Sequence, residues 1–173
     1  VAAQNVTPTA FEMKTYDAVN DKWEVLKPNG GKSVWDLSLK MKVAPRSEAQ
    51  TAYSPKHKKM VAVLGPDAFA YDIVKNEWAK LCSDERIKAH DAKTIFAYDA
   101  VGDVFVLAGP RQKTRFALLD LKTAKWEVLT PKGAEMPRAK YGEGKGYYDP
   151  VHNVFVMHVH GKGIWAYRHR KSD

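Results

Sequence analysis

The stretch AFAYDIVKNEWAKL, from Ala68 to Leu81, decides the fold. Its two halves, AFAYDIV and EWAKL, are short alternating apolar segments, which is the signature of two strands joined by a turn. Inside it, Tyr71-Asp72 is followed after five residues by Trp78. The same spacing recurs at Tyr16-Asp17 with Trp23, in FEMKTYDAV and KWEVL, and at Leu119-Asp120 with Trp126, in RFALLDLK and KWEVL. Three copies at one internal spacing point to a repeat architecture.

A second pattern interleaves with the first. A tyrosine-ended strand, a polar turn and a strongly β-branched strand appear in QTAYSPKHKKMVAVLG (50–65), TIFAYDAVGDVFVLAG (94–109) and KGYYDPVHNVFVMHV (145–159). Ser54-Pro55, Gly102-Asp103 and Asp149-Pro150 fall between the paired runs, where a hairpin must bend. Together the patterns predict four consecutive antiparallel strands repeating every 45 to 50 residues or so, the period of a propeller blade. Ser33 to Val43 has some helical spacing but alternates closely enough to be an extra strand or an ordered loop.

This unit resembles the kelch family of β-propellers. The resemblance rests on Pro45-Arg46 and Pro137-Arg138 before the innermost strand, a glycine closing the second strand, Tyr-Asp on the third and tryptophan on the fourth. It covers residues 11–170 and departs from the family where two adjacent glycines are usual, since Gly65-Pro66 and Gly109-Pro110 stand there. It implies an all-β fold of three to four blades, with Trp23, Trp78 and Trp126 packed on outer strands. The expected organisation is an extension at 1–10, a partial blade at 11–26, full blades at 45–81 and 90–129, a blade lacking its outer strand at 137–170, and a tail at 171–173. About thirteen strands do not close a ring, so the chain reads as roughly the C-terminal half of a propeller.

Charge and composition bound the function. The 173 residues are 45% hydrophobic and 28% charged, which suits a globular chain, and no apolar run approaches the roughly 18 residues of a transmembrane helix. The net charge of +8 favours acidic proteins or anionic polymers as partners. Nucleic acid is disfavoured, because only seven of the 28 basic residues are arginine, the side chain suited to bidentate phosphate and base-edge recognition. The lone Cys82 closes no intramolecular disulfide and leaves the compartment open between secreted, periplasmic and cytoplasmic.

Catalytic signals are sparse. His158 and His160 stand two apart on a strand and so share a face, the beginning of a transition-metal site that His152 or His169 would have to complete. Cys82 has no histidine near it in sequence, and serine elbows, phosphate loops and dinucleotide fingerprints are absent. Asp17, Asp72 and Asp120 recur with the repeat, which suits a turn role better than an active site. No cofactor is predicted.

The expected function is non-catalytic recognition or assembly on the loop face. A galactose-oxidase-like metal enzyme or a hydrolase is the alternative. By the kelch resemblance, Arg46 and Arg138, with Lys140 and Tyr141 beside the second, lie near the propeller mouth and offer carboxylate or phosphate recognition. Unfinished blades also predict pairing with another propeller segment or a second copy of the chain.

Overall fold

The computed structural model describes residues 13–29, 50–87, 94–109, 116–134 and 145–168. Among these residues there are thirteen strands and no α-helix, hence no helix long and apolar enough to cross a membrane. β1 (Met13–Asp17) and β2 (Lys22–Leu26) form a two-stranded hairpin. Blade I is the meander β3 (Gln50–Ser54), β4 (Lys59–Leu64), β5 (Asp67–Asp72) and β6 (Glu77–Ser83). Blade II repeats it with β7 (Ile95–Asp99), β8 (Val104–Ala108), β9 (Phe116–Asp120) and β10 (Lys125–Leu129). Blade III has β11 (Lys145–Asp149), β12 (Val154–Val159) and β13 (Gly163–Tyr167).

Period-two alternation explains how the blades stack. Directly paired residues share a face, so Phe96, Phe105, Leu107, Leu119 and Trp126 leave blade II on one side, where they join Val61, Val63, Ala68 and Ala70 of blade I. The intervening residues Ile95, Val104, Val106, Ala108, Phe116 and Leu118 leave it on the other, where they meet Phe155 and Met157 of blade III. Blade II is therefore apolar on both faces. The inner strands β3 and β11 both lie against β7 and form an arc.

Packing outweighs surface charge in holding this stack. Val61, Val63, Phe105 and Leu119 are completely buried, and burying such a side chain stabilises by about 1.5–3 kcal/mol. An exposed pair such as Lys22 and Glu24, 67% and 55% accessible, contributes about 0–1 kcal/mol. Crowding is tightest at Gly146 on β11. A Cβ there would stand 2.5 Å from the Val156 carbonyl oxygen and 2.9 Å from Ile95 Cγ2, so only glycine lets β11 approach β7.

The hairpin β1–β2 falls within the residues of the expected partial blade. Asn29 N–H donates to the Asn76 carbonyl at 2.6 Å and Asn76 Nδ2 donates to the Lys27 carbonyl at 2.9 Å. The hairpin is thus joined by its base to the β5–β6 loop, and Trp23, expected to pack on an outer strand, is 67% exposed. Its ring meets Tyr16 across the hairpin, at 5.1 Å. Among the described residues the two-stranded sheet has no third strand or facing sheet to cover its aromatic pair. Trp78 is half-buried and Trp126 is 7% exposed, each on the outermost strand of a four-stranded blade.

Candidate binding surface at the hairpin tips

The two sequence patterns are one hairpin used six times. Tyr16↔Trp23, Tyr71↔Trp78 and Leu119↔Trp126 are directly opposed cross-strand pairs, and so are Tyr53↔Met60, Tyr98↔Phe105 and Tyr148↔Phe155. Each pair is followed by the same closure, Asp17↔Lys22, Ser54↔Lys59, Asp72↔Glu77, Asp99↔Val104, Asp120↔Lys125 and Asp149↔Val154, around a four-residue loop.

Local chemistry sets the loop. The aspartate Oδ1 accepts the backbone N–H groups two and three residues on, as in Asp99 with Val101 and Gly102, both at 2.8 Å. Asp17, Asp72, Asp120 and Asp149 do the same, while Ser54 Oγ accepts His57 N–H at 3.3 Å. The last loop residue is left-handed in every copy, with φ between 50° and 56° at Asp21, Lys58, Asn76, Asp103, Ala124 and Asn153. Where that residue is Asp or Asn, the tyrosine hydroxyl five positions earlier donates to its side chain. Tyr98 reaches Asp103 Oδ1 at 2.7 Å, Tyr148 reaches Asn153 Oδ1 at 2.8 Å, and Tyr71 and Tyr16 bond Asn76 and Asp21. The recurring aspartates thus have turn roles.

Meander order puts five of these loops, 55–58, 73–76, 100–103, 121–124 and 150–153, at one end of blades I to III. The second loop residue faces solvent in each. It is Val74 at 72%, Val101 at 57% and Val151 at 85% exposure, and in the other two loops it is Lys56 and Lys122, whose side chains are 58% and 68% accessible. One end of the stack therefore presents valines and lysines at a single structural position.

The two lysines converge on Asp103. Its Oδ2 lies 2.7 Å from Lys56 Nζ and 3.4 Å from Lys122 Nζ, and its Oδ1 takes Tyr98 and His57 Nε2 at 2.7 Å. Burial pushes the Asp103 carboxyl upward, but the bonds from Lys56, Tyr98 and His57 outweigh it and hold the group well below the usual carboxylate range. Lys56 and His57 belong to blade I, and Asp103 and Lys122 to blade II. One carboxylate thus ties two blades together beneath two lysines that carry a net positive charge.

The other candidates do not converge. β12 ends at Val159, so His158 is on the strand while His160 lies in the turn that Lys162 N–H closes on the Val159 carbonyl at 2.9 Å. The strand alternation that would place both imidazoles on one face stops before His160. His152 sits at the opposite end of β12, with Nδ1 2.7 Å from Asp149 Oδ2. Among the described residues no group of three or more His, Cys, Asp or Glu could hold a metal ion. The Cys82 thiol, half-buried on β6, is pushed up by burial and by the Asp84 and Asp67 carboxylates, which disfavours the nucleophilic thiolate. Arg46, Arg138, Lys140, Tyr141 and His169 lie outside the described residues.

Antiparallel blades stacked face to face around adjacent inner strands define the class of the fold, an incomplete ring of β-propeller blades. No family model and no curated protein match the chain. A solved structural-genomics protein of unknown function from Bacteroides thetaiotaomicron VPI-5482 is similar over 91% of this chain and 36% of its own, at 9% identity and a TM-score of 0.57. A chain of the nidogen/laminin complex is similar over 79% of this chain and 49% of its own, at 14% identity and a TM-score of 0.46. This chain therefore spans less than two thirds of the length of either.

Proposed function

We propose that this chain is a non-catalytic recognition and assembly module of the kelch type, and that the hairpin tips of blades I to III take an acidic segment of a partner protein. One observation carries the reading: the exposed second loop position is valine in three tips and lysine in the two that flank Asp103. Valines give apolar contact and lysines give carboxylate contact, and the net charge of +8 draws an acidic partner to the surface. The five tips are rigid, since turn amides, tyrosine hydroxyls and the Asp103 ties hold them, so little ordering entropy opposes binding. Arg46, Arg138, Lys140 and Tyr141 lie outside the described residues, and their role in carboxylate or phosphate recognition stays a separate proposal of the kelch resemblance.

Poly-L-glutamate is the probe. The chain should bind it, the affinity should fall as salt rises through the physiological range, and Lys56→Gln and Lys122→Gln should each weaken it by up to about fivefold. Binding that is indifferent to salt and to both substitutions would remove the tips from recognition.

A further inference from the structure

Given recognition at the hairpin tips, on which this rests, we infer that Asp103 sets the specificity of that surface. Its carboxylate fills the point between Lys56 and Lys122 where a compact dianion such as phosphate would sit, so the tips select carboxylates spread along a segment.

The turn does not need the charge of Asp103. Its place, last in the loop, must tolerate left-handed backbone and accept the tyrosine hydroxyl, and asparagine does both at Asn76 and Asn153. Across the five tips of blades I to III that place holds Lys58, Asn76, Asp103, Ala124 and Asn153. Only Asp103 puts a carboxylate there, and it does so where the two lysines meet.

The two carboxylate oxygens have different partners. Oδ1 takes Tyr98 and His57, which the amide oxygen of an asparagine could also serve, as Asn153 Oδ1 serves Tyr148. Oδ2 takes Lys56 Nζ at 2.7 Å and Lys122 Nζ at 3.4 Å, and that contact depends on the negative charge. The bond to Asp103 pushes the Lys56 ammonium upward, and the bonds from Lys56, Tyr98 and His57 hold Asp103 low, so the pair is fully ionised at neutral pH.

Accessibility decides what reaches this point. The Asp103 side chain is only 12% accessible, whereas Lys56 and Lys122 are 58% and 68% accessible and turn further N–H donors toward solvent. A compact dianion that bridged both ammonium groups would come up against Oδ2 and be repelled. The separate carboxylates of an acidic segment approach each lysine from its outer side and keep their distance from Oδ2. Asp103 is thus an internal competitor that weakens every anion and excludes the compact one.

Isothermal titration of the whole chain tests this, with wild type and Asp103→Asn each titrated with poly-L-glutamate and, separately, with inorganic phosphate at mildly alkaline pH and matched ionic strength. Circular dichroism checks that the variant folds. Poly-L-glutamate should bind the variant about threefold or more tightly than the wild type, because one negative charge has left the tips. Phosphate should bind the variant and not the wild type, and Lys122→Gln added to Asp103→Asn should abolish that binding. Specific phosphate binding by the wild type overturns the inference without recourse to any variant. So does weaker binding of poly-L-glutamate by Asp103→Asn, which would assign Asp103 to holding the lysines in place. Poly-L-glutamate bound equally by both proteins overturns the inference alone, whereas poly-L-glutamate bound by neither overturns the tip reading and the inference together.

Discussion

His57 Nε2 lies 2.7 Å from Asp103 Oδ1, a contact made across the boundary between blades I and II. Lys56 and Lys122 share the other carboxylate oxygen, so a single charge organises donors from two neighbouring loops. Asp103→Asn keeps the side-chain shape and the left-handed preference that Asn153 shows in blade III, while it removes the charge. It should lower unfolding free energy by about 1–2 kcal/mol at neutral pH, measured by urea denaturation.

The same substitution predicts a pH signature. The folded Asp103 carboxyl is depressed, so the folded state holds fewer protons than the unfolded chain near the ordinary carboxylate pKa of about 3.9. Its stabilisation is complete above that value and is lost as the pH falls toward the folded value. The stability difference between wild type and Asp103→Asn should therefore be constant from pH 6 to 5 or so and shrink below about 4. A gap that widens on acidification would contradict the Asp103 geometry.

Gly146→Ala probes the crowded inner strands. Its Cβ would press on the Val156 carbonyl at 2.5 Å and on Ile95 at 2.9 Å, and the carbonyl belongs to a paired strand that cannot yield cheaply. A loss of about 1–3 kcal/mol in a denaturant melt is expected, the range of an overpacked core. A neutral result would mean that β11 does not approach β7 this closely.

Ala124 is the one last-loop residue with neither a polar side chain nor a long one, at φ 52°. Left-handed backbone costs an ordinary side chain about 1–2 kcal/mol, of which glycine's extra unfolded-state freedom returns a part. Ala124→Gly should raise stability by roughly 0.5–1 kcal/mol, read as a higher melting temperature.

The fold was legible because the spacing from Tyr71 to Trp78 is a pair across one hairpin, and a cross-strand pair fixes a register. The identity of the two patterns was harder to see. It rests on Asp21, Asn76, Asp103 and Asn153 at the fourth loop position, a signal spaced five residues from each tyrosine and masked by Lys58 and Ala124 in the other copies. The exposure of Trp23 has no sequence signal, since nothing in KWEVL says whether a second sheet covers the strand; Trp126 sits in the same five letters and is buried. For His158 and His160 the alternation was read one residue too far, past the strand end at Val159. The tips were missed as a surface because valine and lysine coincide at one position only when all the loops are aligned on their aspartate or serine.

Hydrogen exchange of the whole chain, with and without poly-L-glutamate, tests the central claim most directly. The account predicts added protection in loops 55–58 and 121–124, at the lysine tips around Asp103, with turn 160–162 at the far end of blade III unchanged. Protection confined to turn 160–162, or none in any tip under conditions where the polymer binds, would contradict recognition by the hairpin tips.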